Sequence, residues 1–319
     1  MTALLLGALG LTLSLIVPGP LARAKWPDRA PAAAVLLWQA ITLAAVLSAL
    51  GVVLAAPEEL TRAFGSGRPV AAAALIGALA VAAVIVLRLL VSLWGVSRRS
   101  RARRERHRLL VDLLDRAEQR QELDAGNVRV LQGNLPLAYC VPGREARVVL
   151  SDGALRLLDR EQVDAVLAHE QTHLRHRHEV VMESFTAFYR AVPAPLRSRA
   201  PLDAVHLLLE MVADDAAGKR TGPAPLRGAL ERLTDAVPLA EEWRSDGESS
   251  VRSRAVVGRS DGVPEADSRR RRLARLAAPQ RASRALTGVV VAAAAALLVL
   301  PTVILVVPWL DRALAVWPL

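Results

Sequence analysis

The chain has 319 residues, 53% of them hydrophobic, and a formal net charge of +10. Its single cysteine, Cys140, excludes an intramolecular disulfide and any Cys-x-x-Cys metal site. The apolar residues are gathered in blocks, the pattern of a membrane protein rather than of a soluble globule.

Residues 3–17 form an uncharged apolar run, a little short for a bilayer span unless Pro18 to Ala22 extend it, which gives a first span of about 3–22. A cleaved signal peptide is the rival reading. No basic region precedes the stretch, and Arg23, Lys25 and Arg29 follow it, which argues for a retained span. Residues 32–56 form a second uncharged span and residues 69–97 a third. Arg88 lies inside the third, where it either snorkels to the cytoplasmic end or faces the helix bundle. Pro57 to Arg68 is expected to be a short loop with balanced charge. Residues 285–310 form a fourth span, leaving 311–319 as a short extracellular tail. Arginine clusters fill residues 98–108 and 269–284. With the loop after the first span, they place all the basic clusters on one side, so residues 98–284 are expected in the cytoplasm and both termini outside. These clusters read as contacts to anionic membrane lipid. No aromatic residues interleave the arginines, so no direct nucleic-acid partner is expected.

Between spans three and four the pattern changes. Residues 106–122 read as an amphipathic helix. Asn127–Leu131, Leu137–Val141 and Ala146–Leu150 read as short strands, broken by Gly133, Pro136, Pro142 and Gly143, and assembled into a small antiparallel sheet. A helix follows, with Asp159 as its N-cap and an apolar run through Val163, Val166 and Leu167. Residues 180–200 read as a mixed helix ending at Pro193-Ala194-Pro195. Then comes a helix carrying Glu210 and ended by Gly218, and another over Leu226–Ala236. Residues 244–268 are polar and Gly/Ser-rich and read as a mobile loop.

The chemistry concentrates in Ala165–Glu179, AVLAHEQTHLRHRHE. His169 and His173 are four apart, so on a helix they share a face and can aim two imidazoles at one ion. Zinc suits such a pair, and its catalytic sites take three protein ligands and leave one position for water. Glu170, beside the first histidine, is placed to take a proton from that water. Glu210 is the third ligand of choice, since apolar residues flank it and a lone carboxylate there is costly without a partner. Asp214, one turn on, can accept the free N–H of a ligating histidine. His176 and His178 read as solvated surface. His206, one turn before Glu210, is the first choice for steadying a developing oxyanion, with Tyr139 and Tyr189 as rivals.

The pentad His169-Glu170-Gln171-Thr172-His173, followed by Glu210-Met-Val-Ala-Asp214, resembles the gluzincin metallopeptidases. Within them the chain resembles the membrane-embedded BlaR/MecR-type antirepressor peptidases, and is related to the HtpX and CAAX-prenyl-protease type. Arg147–Leu155 resembles the strand-turn-helix that precedes the zinc helix in these families. The resemblance implies an α-helical integral membrane protein of about four spans. Its α+β zincin-like domain would be cytoplasmic and inserted between spans three and four. It implies one Zn²⁺ per chain on His169, His173 and Glu210, with Glu170 as catalytic base. The substrate it implies is a protein, and for the antirepressor type a cytoplasmic transcriptional repressor. An edge strand, Leu137-Ala138-Tyr139-Cys140-Val141, would pair with the extended substrate. Relatives that sense β-lactams carry a penicillin-binding domain after the last span, and none is expected here. HtpX-like quality control and a non-catalytic, zinc-stabilised signal transducer are the alternative functions.

Overall fold

Long apolar runs without helix breakers dictate long helices, because every backbone group can then bond within its own segment. The computed structural model describes residues 2–114, 127–143, 146–235, 265–278 and 283–316, and they are mostly helical. Four helical stretches are long and apolar enough to cross a membrane: Thr2–Arg23, Pro31–Gly65, Pro69–Ala102 and Arg284–Val307. The chain forms two compact units. One comprises Met1–Gly95, Phe185–Leu208 and Ala282–Leu319, and the other Val96–Ser184 and Leu209–Arg281.

The first unit holds the apolar helices. The opening segment is helical from α1 (Thr2–Leu11) through a π-turn (Thr12–Ile16) to α2 (Pro18–Arg23). Helix α3 (Pro31–Gly65) starts on a proline, where the missing N–H is one of the unpaired donors anyway. It does not stop at Pro57, so the expected loop over 57–68 shrinks to a tight turn at Ser66–Arg68, with Gly67 in the left-handed region at φ 62°. Ala56 and Ala63, packed with Ala72 and Leu75, hold this last part of α3 in helical form despite the proline. Small residues bring α1 and α3 together. A Cβ on Gly51 would lie 2.7 Å from Leu6 Cδ1, so the end of that leucine would have to move to admit one.

Helix α4 (Pro69–Leu114) is continuous, so the third span and the start of the expected 106–122 helix are one element. The remainder of that expected helix, 115–122, lies outside the described residues. Arg88 faces a helix rather than snorkelling freely: its Nε–H donates to the Ala191 carbonyl at 2.7 Å, and Ser92 Oγ donates to Ala187 O at 2.8 Å. Trp38 meets Phe185 edge-on, with ring centroids 6.3 Å apart. The helix at the far end, α11 (Arg284–Val316), runs past residue 310 where a tail was expected.

The second unit contains the sheet. Strands β1 (Val128–Leu131), β2 (Ala138–Val141) and β3 (Arg147–Ser151) lie in the order β1-β3-β2. The β2–β3 pair is antiparallel, but β1 runs parallel to β3, so the expected all-antiparallel sheet is corrected. The reason is that the segment after β1 doubles back to place β2 on the far side of β3. Ser151 ties that segment down, its hydroxyl donating to Leu135 O at 2.6 Å and accepting from Leu137 N at 2.8 Å. The same oxygen caps α5 (Asp152–Leu157) by accepting from Ala154 N.

Helix α6 (Arg160–Arg175) follows, opened by a capping box between Asp159 and Gln162. Val163, Val166 and Leu167 pack with Val128, Val148 and Leu150 of the sheet, leaving the next turn, with His169, Glu170 and His173, as the business end. Next come α7 (His178–Ala191), α8 (Ala200–Thr221), α9 (Pro223–Asp235) and α10 (Glu265–Ala277). Helix α8 passes through Gly218 and ends at Gly222, whose φ of 83° supplies the left-handed stop. Of the expected 244–268 loop, 265–268 are helical and the rest lies outside the described residues. Ala236, expected to end α9, is also outside them.

Two substitutions measure this local logic. A Cβ on Gly153 would lie 2.2 Å from Asn134 O. Gly153→Ala should therefore cost about 1–3 kcal/mol through forced backbone shifts. Asp159→Ala removes the α6 cap and should cost about 1 kcal/mol. Chemical unfolding of the purified variants checks both, and a Gly153→Ala protein as stable as wild type contradicts the close approach.

Candidate metal centre

Two helices supply the centre. On α6 the four-residue spacing sets His169 and His173 on one face, and α8 brings Glu210 across from them. His169 Nε2 lies 3.1 Å from His173 Nε2 and 3.5 Å from Glu210 Oε2, and His173 Nε2 lies 3.4 Å from Glu210 Oε1. A tetrahedral zinc shell with bonds of about 2.0–2.1 Å places its donor atoms about 3.3 Å apart. The three donors thus sit where one ion could take all of them. Among the described residues this is the one trio of His, Cys, Asp and Glu side chains so disposed.

The charge around them supports the same fit. Burial opposes charge on Glu210 and Asp214, but the Arg272 guanidinium and the histidines hold both carboxyls below the usual range. Burial pushes the Glu170 carboxyl up, with the Glu210 charge adding to it. Burial drives the His173 imidazole down, so it stays neutral, as a metal ligand must. At His169 burial acts the same way, but Asp214 and Glu210 outweigh it and raise the imidazole. Three carboxylates, Glu170, Glu210 and Asp214, face one guanidinium, Arg272.

Around the trio, Asp214 Oδ1 lies 3.0 Å from His169 Nδ1, the position expected of it. Cys140 on β2 is half-buried, and burial, with the Glu170 charge adding to it, pushes its thiol up. Tyr139 packs with Val141, Val149 and Leu131. Tyr189 is engaged by Arg197, whose guanidinium lies 5.1 Å from the ring centroid. His206 sits half-buried on α8 and is not one of the grouped donors.

Two expectations are corrected. His178 is not solvated surface: it is buried, with its Nδ1 2.9 Å from His173 Nδ1. The second arginine cluster is not wholly a lipid contact. Arg272 turns inward, its Nε and Nη2 donating to the two Asp214 oxygens at 2.8 and 2.7 Å and its Nη1 lying 2.8 Å from Glu210 Oε2. Arg275 grips Asp215 in the same two-pronged way. Within the first cluster, Arg104 is paired with Glu183. The signal for Arg272 was its place one turn before Leu276, which packs with Ala165, Ala168, Ala217 and Leu226 and marks the buried side of α10. Removing that guanidinium strands two buried carboxylates. Arg272→Met should therefore destabilise the metal-free protein by about 3–5 kcal/mol, read from chemical unfolding, and an unchanged midpoint would contradict the buried bridge.

Residues 100–213 match the family model described as Peptidase family M48. The matched stretch contains His169, Glu170, His173 and Glu210 and ends one residue before Asp214, so Arg272 lies outside it. No solved structure matches the chain. Over those residues the chain is similar to a peptidase family that is typically zinc-dependent, and the match supports a gluzincin-type membrane metallopeptidase.

Proposed function

We propose that this chain is a zinc endopeptidase that cuts a protein substrate at the cytoplasmic face of the membrane. The observation that carries this reading is the spacing of the His169, His173 and Glu210 donor atoms at the separations of a tetrahedral zinc shell, with buried Glu170 one residue from the first of them. A zinc ion held there would supply a Lewis acid for the scissile carbonyl and a water acidified to a pKa of about 7.

Glu170 does the proton work. Its carboxylate accepts the water proton and hands it to the leaving amine, a transfer suited to a group that burial has made more basic than an ordinary glutamate. Asp214 Oδ1, 3.0 Å from His169 Nδ1, favours the tautomer that carries its proton on Nδ1 and presents Nε2. Arg272 fixes the Glu210 and Asp214 carboxylates relative to each other.

The substrate backbone lies along β2. That strand is an edge of the sheet and contacts α6, and the Glu170 charge acts on Cys140 within it. An extended peptide added to β2 therefore passes the proposed base, with Leu137–Val141 as the docking edge. The arginine-rich flanks at 98–108 and 269–284 favour a cytoplasmic location for this part of the chain, and contact with anionic lipid. Three apolar spans before the peptidase region and one after suit antirepressor-type regulatory proteolysis, with a cytoplasmic repressor as the substrate class.

Glu170→Gln should keep zinc and abolish cleavage. Metal analysis of the purified protein and comparative proteomics of cells expressing wild type or variant measure the two properties. Cleavage at the wild-type rate removes Glu170 from the mechanism. Glu210→Ala should lose zinc far more completely than Asp214→Ala, for which about a 10–100-fold weaker affinity is expected. The opposite order would exchange their roles.

A further inference from the structure

His173 is bound at both ends. Its Nε2 faces His169 and Glu210, and its Nδ1 lies 2.9 Å from His178 Nδ1. The second contact does not follow from helical spacing. Residues five apart on a helix are separated by about 500°, or roughly 140° around the axis, so on a continued α6 His178 would turn away from His173. Instead α6 stops at Arg175, and Arg177 takes a left-handed φ of 49°. A non-glycine residue rarely takes that conformation, because its Cβ crowds the following carbonyl oxygen. The turn is knitted by His176 N to Thr172 O at 3.0 Å and Val180 N to Arg177 O at 2.9 Å, and α7 starts at His178. The strained residue is what brings His178 back over His173.

The returned ring is fixed in place. His178 is 5% exposed, its ring meets that of His173 edge-on at 4.7 Å, and His176 stacks on its other side at 5.8 Å. A histidine that offers its Nε2 lone pair to an ion must carry its proton on Nδ1, and a buried N–H needs an acceptor. A neutral His178 with its proton on Nε2 presents a bare Nδ1 for that purpose. We propose that His178 is the positioning residue of His173, the counterpart of Asp214 for His169, and that the left-handed turn at Arg177 exists to place it. This inference rests on the zinc reading of the trio.

The test uses two isosteric variants of the full-length chain in detergent. In His178→Asn, the amide oxygen takes the place of Nδ1 and can still accept. In His178→Leu, a methyl takes the same place and cannot. Zinc affinity is measured by chelator competition, and the ligand field by the visible spectrum of the cobalt-loaded protein. His178→Leu should bind zinc about 10–100-fold more weakly than wild type and shift the cobalt bands, with His178→Asn close to wild type on both. Equal affinities for the two variants, whether both high or both low, overturn the role of His178. A wild-type chain that binds no zinc overturns the metal reading as well, so the two failures are told apart.

Discussion

Six ionisable side chains meet in one buried place, and the cost of desolvating their charge is the constraint on which the rest of the second unit depends. Glu170, Glu210 and Asp214 are acidic, His169 and His173 stand between them, and Arg272 alone answers the carboxylates with a permanent positive charge. Unpaired, any of these groups would cost several kcal/mol in such a setting. The local structure can be understood as the means of keeping them paired. Helix α8 carries Glu210 and Asp214 one turn apart, and α10 inserts one guanidinium between them.

The elements that surround this centre each do a definable part. The capping box at Asp159 starts α6 in a fixed register, so the four-residue spacing delivers His169 and His173 to the same face. The parallel β1–β3 pair and the antiparallel β2–β3 pair leave β2 at the edge with its Cys140 side against Glu170. The glycine approach at Gly153 and the three bonds of the Ser151 hydroxyl lock the strand-turn-helix ahead of α6. Rigid elements thus hold the groups on which chemistry would depend, as positioning within fractions of an ångström requires.

Arginine usage illustrates how one residue type serves three physical ends here. Arg88, inside an apolar helix, spends a donor on the open carbonyl of Ala191 at the end of α7. Arg104 pairs with Glu183. Arg272 and Arg275 each grip an aspartate with two parallel bonds, a geometry that lysine cannot reproduce. A count of arginines near apolar spans sees the same charge in all four. It cannot separate those facing phosphates from those facing carboxylates.

Much of this was legible in the chain as a string. Apolar run lengths marked four helices able to cross a membrane, because span length is set by bilayer thickness alone. The strands, the α6 cap and the shared face of His169 and His173 followed from local periods and capping chemistry, which act within a few residues. What the string could not decide were contacts between residues distant in sequence or set by a non-helical turn. Arg272 meets Asp214 across 58 residues, and its inward side shows only once α10 is packed through Leu276. The parallel pairing of β1 with β3 depends on where the Ser151 knot sends the chain. His178 faces His173 because one residue, Arg177, leaves the helical region. Sequence determined the elements and their donor groups, since those obey short-range rules. Tertiary structure alone decided which buried charge answers which, since that pairing is settled by packing between elements the chain brings together from afar.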